Sequence, residues 1–206
     1  MIGIISAMHE EIDALLSAIE ITATTEKGQR KYYRGKLFNT DVVLVFSRWG
    51  KTASATTVTQ MINDYKLSEV IFTGVAGSII NNINIGDIIV GKHLYQHDMD
   101  ASPHLPQFEI PLLERSFFET HYKNRLKLKK AAGNFIADYH SFITPEEKEE
   151  FNIENPQVVI SDIASGDQFI NKNEQFDHIR KLLPSVGCVE MEGAAVAQVC
   201  FEYQMP

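Results

Sequence analysis

Ile2-Gly3-Ile4-Ile5-Ser6-Ala7-Met8-His9-Glu10-Glu11 opens the chain with an apolar run that gives way to small and then acidic residues. The run is too short for a helix and reads as a buried strand over Ile2–Ser6. A helix follows from about Glu10, because Ile12, Leu15, Leu16 and Ile19 recur at helical spacing. The same strand-then-helix reading recurs downstream. Strands are expected at Glu69–Thr73, Asp87–Leu94, Val158–Ala164 and Gly187–Met191. Helices are expected at Thr52–Tyr65, Glu114–Ala132, Asn173–Leu183 and Glu192–Tyr203. Tyr32–Leu37 and Asp41–Ser47 read as a pair of strands around an Asn39-Thr40 turn. Alternation of this kind points to a three-layer α/β domain. Gln96–Leu113, with Pro103, Pro106 and Pro111, reads as a long loop of the sort that covers a site, and Asp138–Pro156 as charged and irregular.

Composition narrows the function. The chain has 206 residues, 44% hydrophobic and 22% charged, enough for one domain over residues 1–206 with a sizeable core. A net charge of −8 argues against binding nucleic acid. The basic run Lys123–Lys130 reads as a solvated helix face. Cys188 and Cys200 form no metal-ligand pattern and read as buried free thiols. Glu10 and Glu11 break the N-terminal apolar run, so no secretory leader is expected, nor a membrane span; a cytoplasmic setting fits.

Strand ends in α/β proteins present functional side chains, and several segments here end that way. Glu11 lies in the first turn of its helix, where a carboxylate either complements the helix dipole or serves a site. Glu192 follows Val189-Glu190-Met191 and precedes Gly193-Ala194-Ala195. It is either a helix N-cap or an acceptor for sugar hydroxyls. In Ser165-Gly166-Asp167-Gln168-Phe169-Ile170, Gly166 permits a sharp turn. Phe169 either packs in the core or offers a flat face to an aromatic base, whose edge the Ile170 backbone could meet. Gly74-Val75-Ala76-Gly77 either exposes amides or turns the chain, and it is not the dinucleotide fingerprint. His93, His97, Asp98, Asp100 and His104 match no standard ligand spacing, so no metal is expected.

Six motifs in order carry a resemblance over Met1–Pro206: Ile4–Glu11, Ser47-Arg48-Trp49-Gly50-Lys51, Thr73–Ser78, Gln96-His97-Asp98-Met99-Asp100, Ser165–Ile170 and Val189-Glu190-Met191-Glu192-Gly193. Together they resemble the 5′-methylthioadenosine/S-adenosylhomocysteine nucleosidase family, within the purine nucleoside phosphorylase-like fold. The resemblance implies α/β/α layers around a central mixed sheet, no cofactor, and hydrolysis of a purine nucleoside with release of adenine. It implies Glu11 as the group that orients water and takes its proton. It implies Glu192 as the ribose-binding carboxylate, with Met191 against the sugar. Phe169 would stack on adenine and the Ile170 backbone would read its edge. Val75, Ala76 and Gly77 would line the pocket, with Met8 and Trp49 near the ribose and its 5′ substituent. The Asp100–Pro111 loop would close the 5′ pocket of a partner, implying a homodimer. The family also carries an Asp general acid in an Arg-x-Ile-Ser-Asp stretch beyond the helix ending near Tyr203. Ser161-Asp162 matches a different strand, so a domain without the C-terminal strand, helix and acid is expected, as either a partial chain of a longer enzyme or a poorly active, unstable variant. A nucleoside phosphorylase and a catalytically weak purine-nucleoside binding protein are the alternatives.

Overall fold

The computed structural model describes residues 1–206. Its elements in chain order are β1 (Ile2–Ser6), α1 (His9–Ala18), β2 (Glu20–Lys27), β3 (Arg30–Leu37), β4 (Thr40–Phe46), α2 (Lys51–Asp64), β5 (Glu69–Phe72), β6 (Gly77–Ser78), β7 (Ile88–Gln96), β8 (Phe118–Glu119), α3 (Tyr122–Ala137), α4 (Pro145–Glu150), β9 (Val158–Ser165), α5 (Asn173–Leu182), β10 (Val186–Glu190) and α6 (Gly193–Glu202).

The strands form two five-stranded mixed sheets, ordered β2-β3-β4-β1-β5 and β6-β10-β9-β7-β8, flanked by helices in the expected α/β architecture. β1 runs parallel to β4 and β5 in the first. β9 runs parallel to β7 and β10 in the second. Both faces of β1 and β4 are covered, and that is why their apolar runs are continuous. Ile5, Val43 and Val45 face one way, into a cluster with Val58 and Met61 of α2 and Val196 of α6. Ile4, Val42 and Leu44 face the other way, onto Ile12 of α1. This alternation is the period-two geometry of a strand. In the second sheet Ala164, Val186 and Val189 pack with Ile179 of α5.

Three segments differ from expectation. β2 has no sequence signature because all eight of its residues are exposed; backbone pairing with β3 alone makes it a strand. The helix expected from Glu114 starts at Tyr122, because Phe118 is buried and pairs with Leu94 of β7. Within the irregular stretch, Thr144 and Glu147 form a capping box (Glu147 N–H to Thr144 Oγ1 3.2 Å, Thr144 N–H to Glu147 Oε2 2.8 Å) that starts α4. The turn between β3 and β4 lies at Phe38-Asn39, both in the left-handed region, as a tight hairpin requires.

The basic face of α3 is exposed, except that Arg125 turns inward to the Thr120 carbonyl (2.9 Å) and Glu119 (3.2 Å). Cys188 and Cys200 are free thiols, and burial pushes both up to about 12, which leaves them protonated and unreactive. No helix is long and apolar enough to cross a membrane.

Candidate active site

β1, β5, β9 and β10 end at one side of the molecule, and the segments that follow them surround one cavity of 430 Å³. That is within the ~300–1,000 Å³ usual for small-molecule sites. Glu11 and Glu192 both line it. So do Met8, Trp49, Val75, Ala76 and Gly77, and from the far wall Phe169, Ile170 and Met191. All ten residues singled out from the sequence therefore border the same space. Ala7, Gln168, Val189 and Glu190 also line it, and sequence reasoning missed them.

Glu11 does more than face the positive end of α1. Its Oε2 accepts from Ser6 Oγ (2.6 Å), the Ala7 N–H (3.0 Å) and the Met8 N–H (2.9 Å). Its Oε1 accepts from the Val75 N–H (3.0 Å). The side chain thus joins the end of β1 to the segment after β5. Gly74 permits that approach, since a Cβ there would lie 3.0 Å from Glu11 Oε1. In the Gly74–Gly77 segment the Val75 amide is spent on Glu11 and is not offered to a ligand.

The two acids at the end of β10 divide the work. Glu190 caps α6: its Oε2 accepts from the N–H groups of Glu192 and Gly193, each at 2.7 Å, and its Oε1 from Ser165 Oγ. Ser165 Oγ in turn accepts from the Ala194 N–H (2.7 Å). Burial pushes the Glu190 carboxyl above its ordinary range, against the pull of these donors. Glu192 occupies the N-cap position of α6 but its side chain caps nothing there. It reaches across to the Gly50 N–H, 2.6 Å from its Oε1. Only 6% of Glu192 is exposed. Burial pushes its carboxyl up to about 7; the Gly50 N–H opposes the shift, while the charges of Glu190 and Glu11 add to it.

Phe169 is 75% exposed, so it is a shelf at the cavity and not a core residue. Trp49 stands 63% exposed on the same rim. The Phe169 and Ile170 N–H groups are taken by no other protein group, which leaves polar backbone beside an apolar face. No Arg or Lys borders the cavity.

A second, polar cavity of 540 Å³ adjoins the first through Gln168 and Ile170, and His97, Asp98 and Asp100 line it. No group of three or more His, Cys, Asp or Glu is placed to hold a metal. His93 instead meets Asp162, with Nδ1 3.1 Å from Oδ1. His97 Nε2 is buried without a partner against Gly166, and burial lowers that imidazole below its ordinary value.

A family model described as "Phosphorylase superfamily" matches residues 1–206. The chain is 34% identical to the 5′-methylthioadenosine/S-adenosylhomocysteine nucleosidase of Glaesserella parasuis serovar 5 (strain SH0165), over all of this chain and 81% of that protein. Among solved structures it resembles such a nucleosidase from Colwellia psychrerythraea 34H in complex with adenine (TM-score 0.84, 30% identity, all of this chain and 78% of that one). It also resembles the futalosine hydrolase of Helicobacter pylori strain 26695 (TM-score 0.80, 32% identity, all of this chain and 80% of that one).

Proposed function

The chain belongs to the 5′-methylthioadenosine/S-adenosylhomocysteine nucleosidase family of the phosphorylase superfamily, and from that premise we propose the hydrolysis it carries out and the part each residue plays. It cleaves the N-glycosidic bond of 5′-methylthioadenosine and S-adenosylhomocysteine and releases adenine. The observation that supports this most is the convergence of Glu11 and Glu192 on one cavity beside the Phe169 shelf.

Adenine stacks on Phe169, with its edge toward the free N–H groups of Phe169 and Ile170. Glu192 accepts hydrogen bonds from the ribose hydroxyls, and Met191 packs against the sugar. Val75, Ala76 and Gly77 line the sugar and base, and Met8 and Trp49 stand near the ribose and its 5′ substituent. The C1′–N9 bond breaks with its electron pair going to adenine, which takes up a proton from solvent water. The sugar passes through an oxocarbenium-like state. Water then bonds to C1′, and its proton goes to Glu11. The two carboxylates favour the positive charge that develops on the sugar.

Hydrolysis is favoured over phosphorolysis because phosphate calls for cationic clamps, and this cavity is bordered by Glu11, Glu190 and Glu192 with no Arg or Lys. Adenine release from 5′-methylthioadenosine, followed with and without phosphate, tests the reading. Equal rates are expected. A requirement for phosphate would establish a phosphorylase, and binding without release would establish a nucleoside-binding protein. Futalosine belongs in the same assay, given the likeness to a futalosine hydrolase.

The small-molecule nucleoside is one partner, and the second is another copy of the chain. The loop around Asp100–Pro111 would close the 5′ side of the neighbour's cavity. Sedimentation is expected to give twice the 23.3 kDa chain mass, and a monomer at micromolar concentration would rule the homodimer out.

A further inference from the structure

Three segments at the mouth of the cavity are tied into a ring that the hydrolytic reading does not use. The Lys51 N–H, at the start of α2, donates to Asp167 Oδ1 (2.8 Å). The Asp167 N–H donates to Asp98 Oδ2 (2.9 Å). Lys51 Nζ closes the ring on Asp98 Oδ1 (2.6 Å) and also donates to Gln96 Oε1 (3.0 Å). The side chains of Lys51 and Asp98 are only 17% and 19% exposed, so solvent screens this pair less than an ordinary surface one. Burial acts to raise the Asp98 carboxyl, but Lys51 and the Asp167 N–H outweigh it and hold that carboxyl below its ordinary value.

The ring meets the site at two points. Gly50, next to Lys51, donates its N–H to Glu192. Phe169 lies two residues beyond Asp167. The fit between the two is close. Gly50 has φ +93°, and a Cβ on it would stand 2.9 Å from Asp167 Oδ1. Lys51, Asp98 and Asp167 themselves do not line the cavity. The opposite end of α2 also carries an ion pair, Lys27–Asp64 at 2.6 Å, which has no link to the site.

We propose that Lys51, Asp98 and Asp167 form a positioning clamp that sets the span between the Phe169 shelf and Glu192, so that base and ribose are gripped together. The proposal rests on reading the cavity as a nucleoside site. A span matters only to a ligand that uses both ends of it. Loosening the clamp therefore weakens a nucleoside and largely spares free adenine, which uses the shelf alone. General loosening of the fold would weaken both alike.

Trp49, the one tryptophan of the chain, sits on the rim beside Gly50 and supplies the signal. Binding of 5′-methylthioadenosine and of adenine is followed by its fluorescence in the unaltered protein, Asp98→Asn, Lys51→Met, Lys51→Arg and the control Lys27→Ala. Asp98→Asn turns one of two acceptors into a donor facing a donor. It is expected to weaken the nucleoside about tenfold and adenine by less than about threefold. Lys51→Met gives the same pattern, Lys51→Arg restores most of the nucleoside affinity, and Lys27→Ala changes neither ligand. Equal losses for both ligands, or none, would overturn the clamp. If the unaltered protein binds neither ligand, the nucleoside reading fails by itself. The anisotropy of Trp49 without ligand then decides the clamp. It is expected to fall in Asp98→Asn and Lys51→Met but not in Lys27→Ala, and an unchanged value overturns the proposal.

Discussion

Glu11→Gln is expected to lower adenine release by about 10²–10⁴-fold, the usual worth of a positioned general base. Nucleoside affinity should change only a few-fold, because the loss lies in the step that takes a proton from water. The amide cannot sit comfortably in this place. Glu11 Oε2 faces Ser6 Oγ and two N–H groups, and Oε1 faces the Val75 N–H. Whichever way the amide turns, its NH₂ meets at least one N–H donor. The orientation that spares the most bonds turns it toward Val75. That mismatch costs about 1–3 kcal/mol of stability, so a urea titration should accompany the kinetics. Adenine release within about threefold of the unaltered protein would remove Glu11 from the mechanism.

The second large effect belongs to Glu192. Glu192→Gln is expected to reduce adenine release by about 10²-fold, through loss of negative charge where positive charge develops. It should also abolish a pH dependence. Burial raises the Glu192 carboxyl to about 7 from an ordinary 4.5, so the folded protein holds this proton more tightly than the unfolded chain. The stability this contributes is full below about pH 4.5 and is lost as pH rises through 7. Because the carboxyl borders an open cavity, screening trims the effect to on the order of 1–2 kcal/mol. Glu192→Gln should therefore match the parent near pH 4 and exceed it at pH 8. Nucleoside affinity should move the opposite way. The ionised form is the better acceptor for ribose hydroxyls, so affinity should rise about tenfold from pH 6 to pH 8 and stay flat in the variant. A parent protein with no such rise would show that Glu192 does not titrate against the sugar.

Much of the fold is legible along the chain because its central strands carry continuous apolar runs and its helices carry a clear periodicity. Ile2–Ser6 and the stripe of Val58 and Met61 are examples. What escapes is structure imposed by pairing alone. Nothing in the exposed, threonine-rich β2 announces a strand, and Phe118 reads as part of a helix until Leu94 is seen beside it. The division into two sheets is likewise a matter of which edges meet, and no local pattern encodes that.

The residues gathered at the cavity are legible for a different reason: each follows a strand end. Their supports are not. Ser6 and Val75 hold Glu11 from opposite sides, and only the fold brings residues 69 positions apart together. Glu190 also has a role that alternation along a strand cannot show. β10 ends at Glu190, and the carboxyl then folds back onto the amides that follow it, which frees Glu192 to face Gly50. In Val189-Glu190-Met191-Glu192-Gly193 two neighbouring acids are spaced to cap the helix, and the fold gives that place to Glu190.

The three acids at the cavity are anchored by uncharged donors only: one or more backbone amides each, and the hydroxyls of Ser6 and Ser165. Dipoles of this kind are not displaced by dissolved ions as a lysine partner would be. Raising the ionic strength should then dull the long-range pull of the acidic pocket on an approaching cation while leaving the carboxylates where they are.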